Sequence, residues 1–145
     1  MPSLFEKMNL KDQREIVVLN APPSFDGELE SLSDVAVVRS LSKVGKVHFA
    51  LAFATTQAEL DLYAAELAAR AEGDVLLWFA YPKGSSRRYR CEFNRDSGWD
   101  VIRRAGYDSV RIVAIDEDWS ALRFRRWNSS IPEAALTIGR ILLAA

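Results

Sequence analysis

Residues 73–99 read GDVLLWFAYPKGSSRRYRCEFNRDSGW, and the run VLLWFAY (75–81) within them decides the fold. A continuous apolar run of strand length suits a strand covered on both faces, as at the centre of a parallel sheet. A Pro-Lys-Gly-Ser-Ser turn follows at once, and then a cluster of positive charge. In open α/β sheets ligands gather at the carboxyl ends of the strands, which is where this turn falls.

Immediately before that run stands the clearest helix. Thr56 and Glu59 have the spacing of a capping box, and Leu60, Tyr63, Ala64, Leu67, Ala68 and Ala71 follow on one face. Gly73 stands where a left-handed C-terminal cap belongs. Further back, VHFALAFA (47–54), VAVV (35–38) and IVVL (16–19) read as strands. Leu4, Phe5 and Met8 have helical spacing, and Asn20-Ala-Pro-Pro-Ser-Phe25 is a turn. Toward the C-terminus, Asp96 is placed to cap a helix carrying Trp99 and Ile102, which Gly106 stops. VRIVAI (110–115) and ALRFRRW (121–127) flank an Asp116-Glu117-Asp118 turn, and the second alternates as a half-exposed edge strand does. PEAALTIGRILLAA (132–145) opens on a helix-compatible proline and continues apolar. Ile138, Ile141, Leu142 and Leu143 give this last helix enough apolar surface to dock on the sheet or to pair two copies as a homodimer. Strand–helix alternation closed by a hairpin predicts a three-layer α/β sandwich with a mostly parallel sheet and a C-terminal antiparallel hairpin. A single domain over 1–145 is expected.

Composition bounds the function. The 145 residues are 49% hydrophobic and 27% charged, ordinary for a globular domain. Cys91 is the only cysteine, which excludes an internal disulfide and a cysteine-based zinc site and favours a reducing compartment. The opening MPSLFEKMNLKDQRE lacks the apolar core of a signal peptide, and no run reaches membrane-spanning length. A cytoplasmic protein with no membrane partner is expected. Residues 1–75 carry 7 Lys/Arg against 12 Asp/Glu, and residues 76–145 carry 12 against 8, so a net −5 half precedes a net +4 half. Such asymmetry points to an anionic partner near the second half.

Three places carry a family resemblance: LKDQREIVVLNAPPSF, LLWFAYPKGSS and AIDEDWSALRFR. In its order of elements the chain resembles the last two-thirds of a class I methyltransferase, which ends helix, strand, antiparallel strand. More closely, across residues 10–125, it resembles an uncharacterised bacterial family known only as a domain of unknown function. The resemblance implies a Rossmann-like, degenerate methyltransferase-like fold and no activity. It marks Pro82-Lys83-Gly84 and Asp118-Trp119…Arg123 as positions of interest.

The residues decide which chemistries are open. Dinucleotide and S-adenosylmethionine sites need glycines in the first strand–helix turn. Here that turn has none, and Pro22 and Pro23 remove two backbone donors, so no cofactor is expected. Lys83-Gly84 has the wrong order for a P-loop. What remains is an anion-binding set of Lys83, Gly84, Ser85, Ser86, Arg87, Arg88 and Arg90, since arginines grip phosphate and carboxylate bidentately. Asn20, Tyr81, Trp99 and Trp119 are expected at its rim. His48 lies in an apolar strand and reads as a core or edge residue, so no catalytic residue is assigned. Cys91 beside Arg90 has the setting of a depressed pKa but reads as structural. Asp116, Glu117 and Asp118 point in different directions and form a turn better than a metal site. Aromatics interleaved with basic residues can stack on single-stranded nucleic acid, but a net charge of −1 argues against that partner. The expected function is a non-catalytic module binding a small anion or a protein partner at 82–90. The other reading is an atypical enzyme related to S-adenosylmethionine-dependent methyltransferases.

Overall fold

A computed structural model describes residues 3–126 and gathers the apolar runs into one six-stranded sheet. In chain order the elements are α1 (Leu4–Lys7), β1 (Glu15–Leu19), α2 (Asp26–Glu30), β2 (Ala36–Val38), β3 (Val47–Phe53), α3 (Gln57–Arg70), β4 (Ala71–Pro82), α4 (Asp100–Arg104), β5 (Tyr107–Ala114) and β6 (Trp119–Arg126). The strand order is β2-β1-β3-β4-β6-β5. The first four strands run parallel, and β6 is antiparallel to both β4 and β5. The mostly parallel sheet with an antiparallel closing hairpin is therefore as expected. Among the described residues, against the doubly wound order 3-2-1-4-5-6, the outer third strand has no counterpart, and the strand order still reverses beside β1.

Side chains alternate along a strand, so β4 buries two different sets. Leu77, Phe79 and Tyr81 pack toward α3 and α4 with Leu60, Leu67, Trp99 and Ile102. Leu76, Trp78 and Ala80 pack toward α1 with Phe5, Met8 and Phe25. Trp78 is fully buried, and its Nε1 donates to the Met8 carbonyl at 3.1 Å. A strand apolar on both faces needs a layer on each side, and that makes the sandwich. Among the described residues no helix is long and apolar enough to cross a membrane.

Several local expectations shift. Gly73 does not cap α3, because Ala71 already turns extended. Its φ of 65° instead serves the register jump from Val47↔Ala71 to Phe49↔Leu76, where β4 carries extra residues opposite β3. Asp96 does not cap α4, which starts after Trp99 without a side-chain cap. The strand expected at 110–115 begins earlier, at Tyr107, and is irregular between Ser109 and Arg111. Nor is β6 the edge: it lies between β4 and β5, and Ala121, Leu122 and Phe124 are buried. The hairpin folds back into the sheet, leaving Val110 and Ile112 of β5 exposed instead. The helix expected at 132–145, with its docking or dimer role, lies outside the described residues.

Candidate functional site

Two places at the carboxyl edge of the sheet bear on function. The first is the crevice between β1 and β3, where the strand order reverses and α/β folds commonly hold ligands. Asn20, in a left-handed conformation (φ 59°) after β1, donates from Nδ2 to the Phe53 carbonyl and to Glu59 Oε2, both at 3.0 Å. Glu59 Oε1 accepts from the Thr55 and Thr56 amides at 3.0 and 3.2 Å, completing the capping box of α3. Glu92 Oε1 accepts from the Gln57 amide at 2.8 Å. The amides that would face an anion at this helix start are thus engaged by the chain's own carboxylates. On the α1 side, Phe53 packs edge-on against Phe25 and Trp119, with ring centroids 5.0 and 5.1 Å apart.

Glu59 makes this crevice pH-sensitive. Burial pushes its carboxyl up, but the hydrogen bonds from Thr55 and Thr56 outweigh that and hold it below its ordinary 4.5. A depressed folded-state value means the contribution to stability is complete above the ordinary value and is lost as pH falls through the depressed one. Glu59→Gln should therefore be less stable than wild type at neutral pH, with the gap closing at acid pH well below 4.5. Urea midpoints at the two pH values check this, and a gap that does not depend on pH would remove the carboxylate from the account.

The second place is an open cleft of about 800 Å³ at the end of β4. Its wall is a loop tied to the hairpin turn. The Lys83 amide donates to the Asp118 carbonyl at 2.8 Å, and Ser86 Oγ donates to Asp118 Oδ1 at 2.9 Å. The Tyr89 amide donates back to Ser86 Oγ at 3.2 Å, which brings the Tyr89 ring within 4.9 Å of Trp119. Asp116 Oδ1 accepts from the Asp118 and Trp119 amides, so the acidic run is a turn. Among the described residues no group of His, Cys, Asp and Glu is placed to hold a metal ion.

Of the expected anion set, Lys83, Gly84, Ser86 and Arg90 line this cleft; Ser85, Arg87 and Arg88 do not, and all three are exposed. The loop turns back at Ser86, whose amide donates to the Lys83 carbonyl at 3.0 Å. Arg95, missed by a reading that ended the basic run at Arg90, lines the wall with Asn94 and Asp96. The expected rim separates in the same way. Tyr81 lines the cleft, whereas Asn20 is in the β1–β3 crevice. Trp99 lies in the core on the α3 side, and Trp119 on the α1 side.

Three cations (Lys83, Arg90, Arg95) face two acids (Glu92, Asp96), leaving the cleft one positive charge in excess. Burial and the Glu92 carboxylate push the Cys91 thiol up against the Phe93 backbone bond, so the depressed value its neighbour Arg90 implied is reversed. Burial likewise raises the Tyr81 phenol, Arg95 opposing, so both groups are neutral near pH 7. His48 is exposed rather than buried, because the β3–β4 register jump falls on its position.

No family model and no curated protein matches the chain. Solved structures do. An S-adenosylmethionine-dependent methyltransferase from Aquifex aeolicus superposes with a TM-score of 0.58 at 13% identity, over 85% of this chain and 87% of that one. The pyocyanin biosynthetic protein PhzM gives 0.55 at 14% identity, over 86% of this chain and 54% of that one, so the chain spans about half of PhzM. Magnesium protoporphyrin IX methyltransferase from Synechocystis PCC 6803 gives 0.54 at 12% identity, over 85% and 78%. The chain therefore has the Rossmann-like fold that methyltransferases carry.

Proposed function

We propose that this chain binds a small anion, of phosphate or carboxylate type, in the cleft at the end of β4, and that it acts as a binding module and not as a catalyst. The observation that carries the reading is the convergence of Lys83, Arg90 and Arg95 on one open cleft. Neither Lys83 nor Arg90 has an acid partner among the described residues, and Arg95 has only the exposed Asp96 at 3.6 Å. Such cations gain more from an anion in a concave, partly desolvated site than on open surface.

Millimolar phosphate should raise the melting temperature of wild type at constant ionic strength. At a hundredfold excess over Kd the stabilisation reaches about 2.7 kcal/mol. The shift should be clearly smaller in Lys83→Ala/Arg90→Ala/Arg95→Ala and unchanged in Arg87→Ala/Arg88→Ala, whose side chains lie outside the cleft. Equal shifts in all three proteins would leave the cleft as ordinary solvated surface.

A second reading, an atypical relative of S-adenosylmethionine-dependent methyltransferases, rests on the fold and on the strand-order reversal beside β1. Against it stand Pro22 and Pro23, without N–H groups, and the α3 amides held by Glu59 and Glu92. Calorimetric titration with S-adenosylmethionine should give no specific heat. Binding at micromolar Kd would favour this second reading.

A further inference from the structure

The opposite face of the sheet carries a charge arrangement that the cleft does not use. In the register of the closing hairpin Arg123 on β6 stands directly across from Arg111 on β5 and from Trp78 on β4. All three therefore belong to the α1 face, while the cleft lies with Tyr81 and Ser120 on the other. Directly opposed residues on neighbouring strands have Cβ atoms about 5 Å apart, and like charges there destabilise the sheet.

Neither arginine has an ion-pair partner among the described residues. Asp74 acts on Arg123 through charge, but its hydrogen bonds go to Arg125, from Nε at 3.2 Å and Nη2 at 3.3 Å. Asp108, across from Arg125 in the same hairpin, is engaged by Arg103 and by the Ser109 amide. Arg123 is half-buried, and its Nε is enclosed with no hydrogen-bond partner among the described residues. The guanidinium is thus partly stripped of water, and its buried Nε is left without a hydrogen bond among the described residues. Burial, together with Arg125 and Arg111 and against Asp74, disfavours its charged form. A positive group in that condition gains more from an added anion than a fully hydrated one does.

We propose that Arg111 and Arg123 form a second anion site on the α1 face, taking a phosphate group between their guanidinium tips. A tetrahedral dianion has enough acceptor oxygens to receive N–H bonds from both planar forks at once, and it removes the like-charge repulsion across the hairpin. Free phosphate and a phosphate monoester present the same chemistry. Lysine in place of Arg123 would keep the charge but lose the fork.

The experiment is a titration with inorganic phosphate, then with a simple phosphate monoester, in the Lys83→Ala/Arg90→Ala/Arg95→Ala background. Thermal shift and phosphorus NMR line width are the readouts. That background should retain a phosphate response. Adding Arg111→Gln/Arg123→Met should weaken the apparent Kd by about tenfold or more, with Arg123→Lys between the two. Without phosphate the Arg111→Gln/Arg123→Met protein should be at least as stable as its parent, because an uncompensated pair has been removed, so a folding failure does not imitate lost binding. A cleft variant with no remaining response, or one whose response survives the arginine substitutions, overturns the proposal. Either result leaves the cleft reading to be judged on its own comparison with wild type. A stronger response to the monoester than to free phosphate would identify the ester as the preferred source.

Discussion

Replacing Trp99 by alanine should lower the stability of the domain by about 3–5 kcal/mol, the usual cost of deleting a buried aromatic side chain. Trp99 is 2% exposed, and its ring meets Phe79, Tyr81, Phe93 and Phe124 at centroid distances of 6.0, 5.8, 5.4 and 5.0 Å. Its Nε1 also donates to the Asn94 carbonyl at 2.7 Å, so alanine removes that bond as well as leaving a cavity, and the carbonyl keeps only the Ser97 amide at 3.3 Å. Domains of this kind have about 5–15 kcal/mol in total, so the variant should be close to the limit of folding at physiological temperature. With a urea m-value near 2 kcal/mol/M, the midpoint should fall by about 2 M. Trp99→Phe should retain much of the stability. A loss within about 0.5 kcal/mol would instead mark Trp99 as a surface residue, contrary to its packing.

The second large effect is expected at Gly98, which closes the loop carrying the cleft wall. Its φ is 98°, a conformation that side chains rarely adopt. A Cβ there would lie 2.5 Å from Phe93 Cβ and 2.8 Å from Gln57 Oε1. The Gly98 carbonyl also accepts from Gln57 Nε2 at 2.7 Å, which ties the loop to the start of α3. Backbone strain of roughly 1–3 kcal/mol together with the clash should make Gly98→Ala destabilising by about 2–4 kcal/mol. Phe93, Asn94, Arg95 and Asp96 all line the cleft, so the phosphate-dependent shift should fall with it. Hydrogen exchange should rise across 91–98 while β1, β3 and β4 stay protected. Wild-type stability and exchange in this variant would contradict the geometry of the turn.

Legibility in the chain follows the range of the forces involved. The capping box at Thr56 and Glu59 spans three positions, and α3 begins where it predicts. VLLWFAY is apolar on both alternating faces, which calls for burial on both whatever the partners are, and Val75–Tyr81 is buried throughout. That Pro22 and Pro23 offer no backbone N–H is likewise a property of the residues themselves. Such signals are local, and they were sufficient for the fold class.

The site depended on longer connections. Asn20 reaches Glu59 across 39 positions, and Gln57 reaches Gly98 across 41, so nothing near either residue in the chain signals the contact. Arg87 and Arg88 read as well as Arg90 or better for anion binding, yet the bond from the Ser86 amide to Lys83 turns the loop back at Ser86, and the cleft takes Arg90 and Arg95. Trp99 and Trp119, both expected at one rim, go to opposite faces of the sheet. The closing hairpin could also have placed either strand at the edge. Apolar period and caps thus specified the elements and the α/β class, because they act within a few residues along the chain. Which strand lay inside and which cations met in one cleft were set by tertiary structure, because strand pairing and loop closure join residues that share no local signal.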